Sequence, residues 1–141
     1  MSRTLSYSKI TDARSAITDI YDAASRNLVV DIARADDPPV AVLRKDALVP
    51  LLVEKCSFDP KAHVSDDGKV SLWLDGLPIS AQGNSWDEAE VELIHSLRDF
   101  AEIWMEDLSE YKNHRDNWVL PALVRLVPED EKLRQLVFGN E

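Results

Sequence analysis

Residues 5–8 alternate as in a short strand, and from Thr11 the period lengthens, with Ile10, Ala13, Ile17, Ile20, Tyr21 and Ala24 recurring every three or four positions. That spacing predicts an amphipathic helix ending near Ala24. Residues 27–33 alternate again, with Leu28, Val30 and Ile32 on one side and Val29 and Asp31 on the other, and residues 40–43 form a largely β-branched apolar run. Between them Asp36-Asp37-Pro38-Pro39 reads as a turn, because the aspartates bond locally and the prolines cannot donate to a ladder. A hairpin of two antiparallel strands follows. Residues 45–54 predict a second short helix with Leu48, Leu51 and Leu52 inward, which Pro50 either distorts or confines to a turn or two.

After an irregular stretch at residues 56–61, residues 63–65 and 69–74 flank the turn Asp66-Asp67-Gly68. Val70, Leu72 and Leu74 alternate with Lys69, Ser71 and Trp73, which is the pattern of a half-buried hairpin strand. Asp75-Gly76 turns the chain again, and residues 77–82 supply a third strand with Pro78 near its start or on an edge. Ser85 and Glu88 have the spacing of a capping box, opening a long helix with Ala89, Leu93, Ile94, Leu97, Phe100, Ala101, Trp104 and Leu108 on one stripe. Residues 111–117 are polar and residues 118–127 apolar around Pro121. Pro128-Glu129-Asp130-Glu131 then places acidic side chains at the positive end of a last helix, closed by Gly139. The predicted architecture is α+β. A strand-helix-hairpin-helix module is followed by a three-stranded antiparallel sheet packed on a long helix, and then by short C-terminal helices.

Composition narrows the function. The chain of 141 residues, 45% apolar and 30% charged, can enclose one ordinary domain or two small ones. It has no apolar run long enough to cross a bilayer, and the opening MSRTLSYSK lacks a signal-peptide core, so a cytoplasmic protein with no membrane partner is expected. The single cysteine, Cys56, has no disulfide or metal-ligating companion and reads as a buried small apolar residue rather than a reactive thiol. The formal net charge of -10 argues at first against nucleic acid. Its distribution reverses that reading for one half. Residues 1–55 hold eight Lys or Arg and eight Asp or Glu, whereas residues 56–141 hold eight against eighteen. A neutral N-terminal half can present a basic edge, while an acidic C-terminal half repels DNA and attracts a cationic protein.

The run SYSKITDARSAITDIYDAA, followed by NLVVDIARADDPPVAVLRKDALVPLL, resembles the Phd/YefM (prevent-host-death) antitoxins in the order and spacing of its short motifs. The resemblance covers about the first 54 residues. It implies a dimer whose paired N-terminal regions grip operator DNA, with Arg14 matching a helix arginine that faces DNA and Arg34 a second basic contact. Ala33 stands where a threonine is commoner, and the turn is longer and more acidic, which weakens the match at Arg34. The residues themselves point the same way. Arg14 lies off the apolar stripe, beside Lys9 and near a helix N-terminus whose amides, with the hydroxyls of Ser6, Ser8 and Thr11, could meet a phosphate.

A second resemblance lies in DDGKVSLWLDGLPISAQGNSWDEAEVELIHSLRDFAEIW, which is similar to the HicB-type antitoxin module. Leu77-Pro78, Gly83, Ser85, Glu88 and Ala89 fall in matching places, and Ser80 or Ile79 stands where a cysteine is common. That family implies a non-catalytic relative of the ribonuclease H fold that contacts a toxin. Together the resemblances imply residues 1–55 as a dimerising, DNA-binding module and residues 56–141 as an acidic toxin-binding module.

The chemistry of other classes is sparse. His63, His95 and His114 lack ligand spacing, and no glycine-rich phosphate loop or nucleophile elbow occurs. Asp66, Asp67 and Asp75 sit where turns need them, so neither a metal nor another cofactor is expected. The expected protein is a non-enzymatic antitoxin, pairing as a homodimer, repressing its operon and occluding a basic, RNA-cleaving toxin. Trp104, Trp118, Leu120 and Leu123 are the candidate toxin anchors, since durable inhibition needs buried apolar contacts as well as charge. Two alternatives stay open. One is a dimeric scaffold of the same fold without DNA binding; the other is a small hydrolase using Asp66, Asp75 and a histidine.

Overall fold

A computed structural model describes residues 4–107 and 117–139. The fold is α+β, with two three-stranded sheets and six helices among the described residues. Two compact units divide the chain, residues 1–50 and residues 51–141.

In the first unit β1 (Ser6–Tyr7) leads into α1 (Ile10–Ser15) and α2 (Ile17–Ser25), then β2 (Val30–Ile32) and β3 (Val40–Val42). β1 pairs parallel with β2, Ser6 opposite Asp31, while β3 closes the predicted hairpin antiparallel, Val30 opposite Val42. The parallel pair needs a crossover, and the two helices supply it. The sequence predicts one helix here, whereas the structure breaks it at Ala16 (φ -111°, ψ 20°), whose N–H bonds the Ala13 carbonyl at 3.0 Å. Such a tightened last turn ends α1 after six residues. α2 ends in a left-handed residue: Asn27 takes φ 63°, and the N–H groups of Asn27 and Leu28 bond Ala24 (2.9 Å) and Ala23 (3.0 Å).

The core of this unit is small. Ala13, Ile20, Ala23 and Val30 are buried together, with Leu5, Tyr7, Ile32 and Val42 packed around them. Ile10, Ile17 and Tyr21, read from the sequence as inward, are instead exposed. The break at Ala16 rotates one part of the stripe against the other, and only Ala13, Ile20, Ala23 and Ala24 of the helical residues face the core.

α3 (Lys45–Cys56) is longer than the turn or two allowed for Pro50, which lies inside the helix. Leu52 is buried and Leu51 exposed, correcting the expectation that both point inward; adjacent helical positions diverge by about 100°. Cys56 is half-buried, and desolvation holds its thiol above the usual value, disfavouring the reactive thiolate.

The second unit holds β4 (Pro60–Val64), β5 (Val70–Leu74) and β6 (Ser80–Gly83), antiparallel in that order. β4 begins earlier than predicted, because Pro60 pairs with Leu74 without needing an N–H toward it. Gly68 (φ 86°) and Gly76 (φ 82°) occupy the two turns in a conformation that glycine adopts without strain. Val70, Leu72 and Leu74 are buried, and Trp73 on the opposite face is partly exposed. α4 (Trp86–Glu106) covers the buried face of β5 and β6. Its start matches the prediction: Ser85 is extended and its hydroxyl accepts the Glu88 N–H at 3.1 Å. Gly83 is required by packing, since a Cβ there would stand 2.6 Å from the Ala89 nitrogen.

α5 (Val119–Leu126) and α6 (Asp130–Phe138) pack against α4. Ala89, Leu93, Ile94, Leu97 and Ala101 of α4 are buried, as are Leu123, Val124, Leu133 and Val137 of the last two helices. The predicted stripe position Leu108 and the polar residues 111–116 lie outside the described residues.

Candidate functional site

The residues expected to meet DNA all lie in the first unit, and the structure modifies how each could act. Lys9 is the exposed residue preceding α1, where it makes no side-chain cap. Arg14 is exposed and stands in the last turn of the six-residue α1, about one turn from its first residue, Ile10. Ser8 is exposed, and Thr11 accepts the Ser15 hydroxyl at its carbonyl (3.1 Å), leaving its own hydroxyl outside that bond. The Ser6 hydroxyl donates to the Asp31 carboxylate on the neighbouring strand at 2.6 Å. Arg34 is held within its own turn, donating through Nε to Asp37 at 2.9 Å, with Nη2 2.8 Å from the same oxygen. The longer acidic turn noted in the sequence is what engages it. Both groups are exposed, so the pair is cheap to exchange for a phosphate.

The candidate toxin anchors lie in the second unit and divide into two kinds. Trp118 precedes α5 and is 47% exposed; Trp104 and Leu120 are half-buried. Trp104, Met105, Trp118, Pro121 and Ala122 line a hollow of about 410 Å³. Leu123, by contrast, is 0% exposed. It packs the interior and offers nothing to a partner, which corrects its place among the anchors: in an amphipathic helix only one side of an apolar run remains at the surface.

Two arginines that the sequence reading passed over organise this unit. Arg98 of α4 donates through Nη1 to the Val124 carbonyl (2.5 Å) and through Nε to Asp130 (2.9 Å), joining α4 to both C-terminal helices. Arg134 of α6 donates to Asp87 (2.7 Å) and Glu90 (3.0 Å) of α4, and Glu131 lies 3.8 Å away. Those bonds, Asp87 first, hold the Arg134 guanidinium above its usual pKa. Partners so distant in sequence leave no local pattern to read. Asp67 accepts from the Ser65 hydroxyl and from the Lys69 N–H, which together lower its pKa. It thus serves its turn, and among the described residues no group of three His, Cys, Asp or Glu could hold a metal ion.

Comparison with known proteins bears on both surfaces at once. Residues 1–128 match the PHD_like family, described as antitoxin of toxin-antitoxin, RelE / RelB, TA system. The chain belongs to this antitoxin family. A crystal structure of an antitoxin from Syntrophomonas wolfei subsp. wolfei has the same fold, with a TM-score of 0.77, 17% identity, and coverage of 93% of this chain and 94% of that one. No match was found among curated proteins. The match runs through the whole first unit and through α5 of the second, so the antitoxin assignment spans both candidate surfaces. No helix among the described residues of this antitoxin is long and apolar enough to cross a membrane.

Proposed function

We propose that this antitoxin divides its work between its units, the first acting as a Phd/YefM-type dimer that binds operator DNA and represses its operon. The second, HicB-like unit then holds a basic, RNA-cleaving toxin. The observation that carries this reading is the charge split: residues 1–50 are neutral, with seven basic and seven acidic side chains, and residues 51–141 carry the whole net charge of -10. A toxin that grips RNA presents a cationic surface, which the second unit attracts and the first does not. Inhibition needs no catalysis; occupying the toxin's RNA surface suffices.

Pairing of the first unit is supported by what it leaves uncovered. Ile10, Ile17, Tyr21, Val29 and Val40 are exposed around a core containing two alanines, Ala13 and Ala23. Apolar surface on so small a unit fits an isologous contact with a second copy. A two-fold dimer would present Lys9 and Arg14 twice, matching a palindromic site. The engagement of Arg34 by Asp37 and of Ser6 by Asp31 favours the second reading, a dimeric scaffold without DNA binding, at those two positions only.

Gel-shift titration of the stretch upstream of its own gene separates the readings. Full-length protein binds there with an affinity that falls steeply with salt, and Arg14→Ala costs about 1 to 3 kcal/mol, as for a lost bidentate base contact. Equal affinity for unrelated DNA, or an unchanged affinity in the Arg14→Ala protein, would overturn the DNA-binding half of the proposal.

A further inference from the structure

β4 is an edge strand, and its backbone shows which groups await a partner. Asp75 donates to the Asp59 carbonyl (3.0 Å) and Ser65 to the Lys69 carbonyl (2.9 Å), at the two ends of the β4–β5 ladder. Between them Pro60 faces Leu74, Ala62 faces Leu72 and Val64 faces Val70. Antiparallel ladders alternate, so Lys61 and His63 bond inward to β5, while Ala62 and Val64 turn their N–H and C=O groups to the open edge. Among the described residues nothing pairs with that edge.

The side chains of Pro60, Ala62 and Val64 share the sheet face of Leu74, Leu72 and Val70, yet Ala62 and Val64 are exposed where their partners are buried. The helices that cover β5 stop short of β4. In their place runs a groove of about 920 Å³, with Ala62, Leu72, Trp86 and Phe138 at its apolar parts. Asp87, Glu90 and Glu131 stand along it around Arg134. Arg134 is already bonded to Asp87 and Glu90, whereas the side chains of Asp87 and Glu131 remain 79% and 73% exposed. A second copy of this chain would bring an equally acidic rim against this one, in a unit that carries ten excess negative charges. A cationic strand is attracted to that rim, where the two cations of the lining already have acidic neighbours: Lys61 lies 3.4 Å from Asp59, and Arg134 is bonded to Asp87 and Glu90.

We infer that the β4 edge takes a short extended segment of the toxin as a fourth strand, and this rests on the toxin-binding reading of the second unit. Backbone bonds to Ala62 and Val64 hold the segment, and alternate side chains enter the groove. The residue opposite Ala62 is apolar, set against Trp86 and Phe138; a Lys or Arg two positions along reaches Asp87 or Glu131. Pro60 lacks an N–H and limits the pairing to a few residues.

The test is amide hydrogen exchange of the full-length chain, alone and with the purified product of the reading frame adjoining its gene. In the free chain the Ala62 and Val64 amides exchange faster than those of Lys61 and His63. In the complex both slow by about tenfold or more, as ladder amides do. Ala62→Pro removes an outward donor without touching the β5 ladder, and Glu131→Lys reverses an exposed charge; each weakens binding by about tenfold. Should Ala62→Pro lower the melting temperature, Glu131→Lys and the exchange pattern decide. A complex in which Ala62 and Val64 exchange as before, with Glu131→Lys binding as tightly as the unaltered chain, overturns the inference and leaves the toxin-binding reading standing. No complex with the unaltered chain overturns both.

Discussion

The two units of this antitoxin solve the burial problem differently. The second closes a core over three helices and a sheet, with Leu74, Leu93, Ile94, Leu97, Leu123 and Leu133 fully enclosed. The first makes do with strands of two or three residues and a core of Ala13, Ile20, Ala23 and Val30, while Ile17 and Tyr21 stand 62% and 73% exposed. Burial stabilises by roughly 25 cal/mol per Å² of apolar surface, so alanines contribute little and the exposed side chains nothing until something covers them. The second unit closes its core with its own chain, and the proposed pairing is what would cover the exposed apolar side chains of the first.

The largest expected effect breaks the stronger side. Leu97→Ala leaves a cavity in the second unit and costs about 2 to 5 kcal/mol in urea unfolding followed by tryptophan fluorescence. Ile17→Ala, at an exposed site, changes the unfolding of a dilute monomer by less than about 0.5 kcal/mol. Equal losses would erase the distinction between the units.

Next comes pairing. Tyr21→Asp places a charge in the proposed contact and raises the dimer dissociation constant by about tenfold or more, read by sedimentation across a concentration series. A dimer unaffected by Tyr21→Asp would move the interface elsewhere.

How much of this was legible in the sequence follows from the range of the interactions. The alternation of Val70, Leu72 and Leu74, the Ser85 cap and the α4 stripe from Ala89 to Ala101 are local patterns, and each matches the structure. The break at Ala16 was hidden, because Ile10, Ala13, Ile17 and Ile20 keep helical spacing straight through it. So was the parallel pairing of β1 with β2, which joins residues 25 positions apart, as Ser6 and Asp31 are. Exposed sites were the least legible. Apolar spacing shows which residues could be buried, not which helix face meets the core, so Leu123 and Trp118 looked alike although one is enclosed and the other half open.

A smaller effect sharpens the account of the second unit. Arg134→Ala frees Asp87 and Glu90 of their partner and costs about 1 to 2 kcal/mol, visible as a lower urea midpoint. Arg34→Ala, whose ion pair with Asp37 is exposed, stays within about 0.5 kcal/mol of the parent.

The smallest effect is acid dependence. The bonds from Ser65 and Lys69 hold the folded Asp67 carboxyl below its ordinary value of 3.8, so its contribution is present above that value and fades as the pH falls through the lowered one. Asp67→Asn therefore flattens the stability profile below about pH 4 and leaves the profile from pH 5 to 8 parallel to the parent's. An altered slope near neutrality would assign that titration to another group.

The division of labour itself is tested most directly by rescue of cells expressing the toxin. Full-length Arg14→Ala antitoxin, altered at an exposed side chain, is predicted to bind its operator more weakly by about 1 to 3 kcal/mol and still restore growth completely, because the second unit is untouched. Failure of that variant to restore growth, at an intracellular level equal to the parent's, would contradict the assignment of toxin binding to the acidic unit.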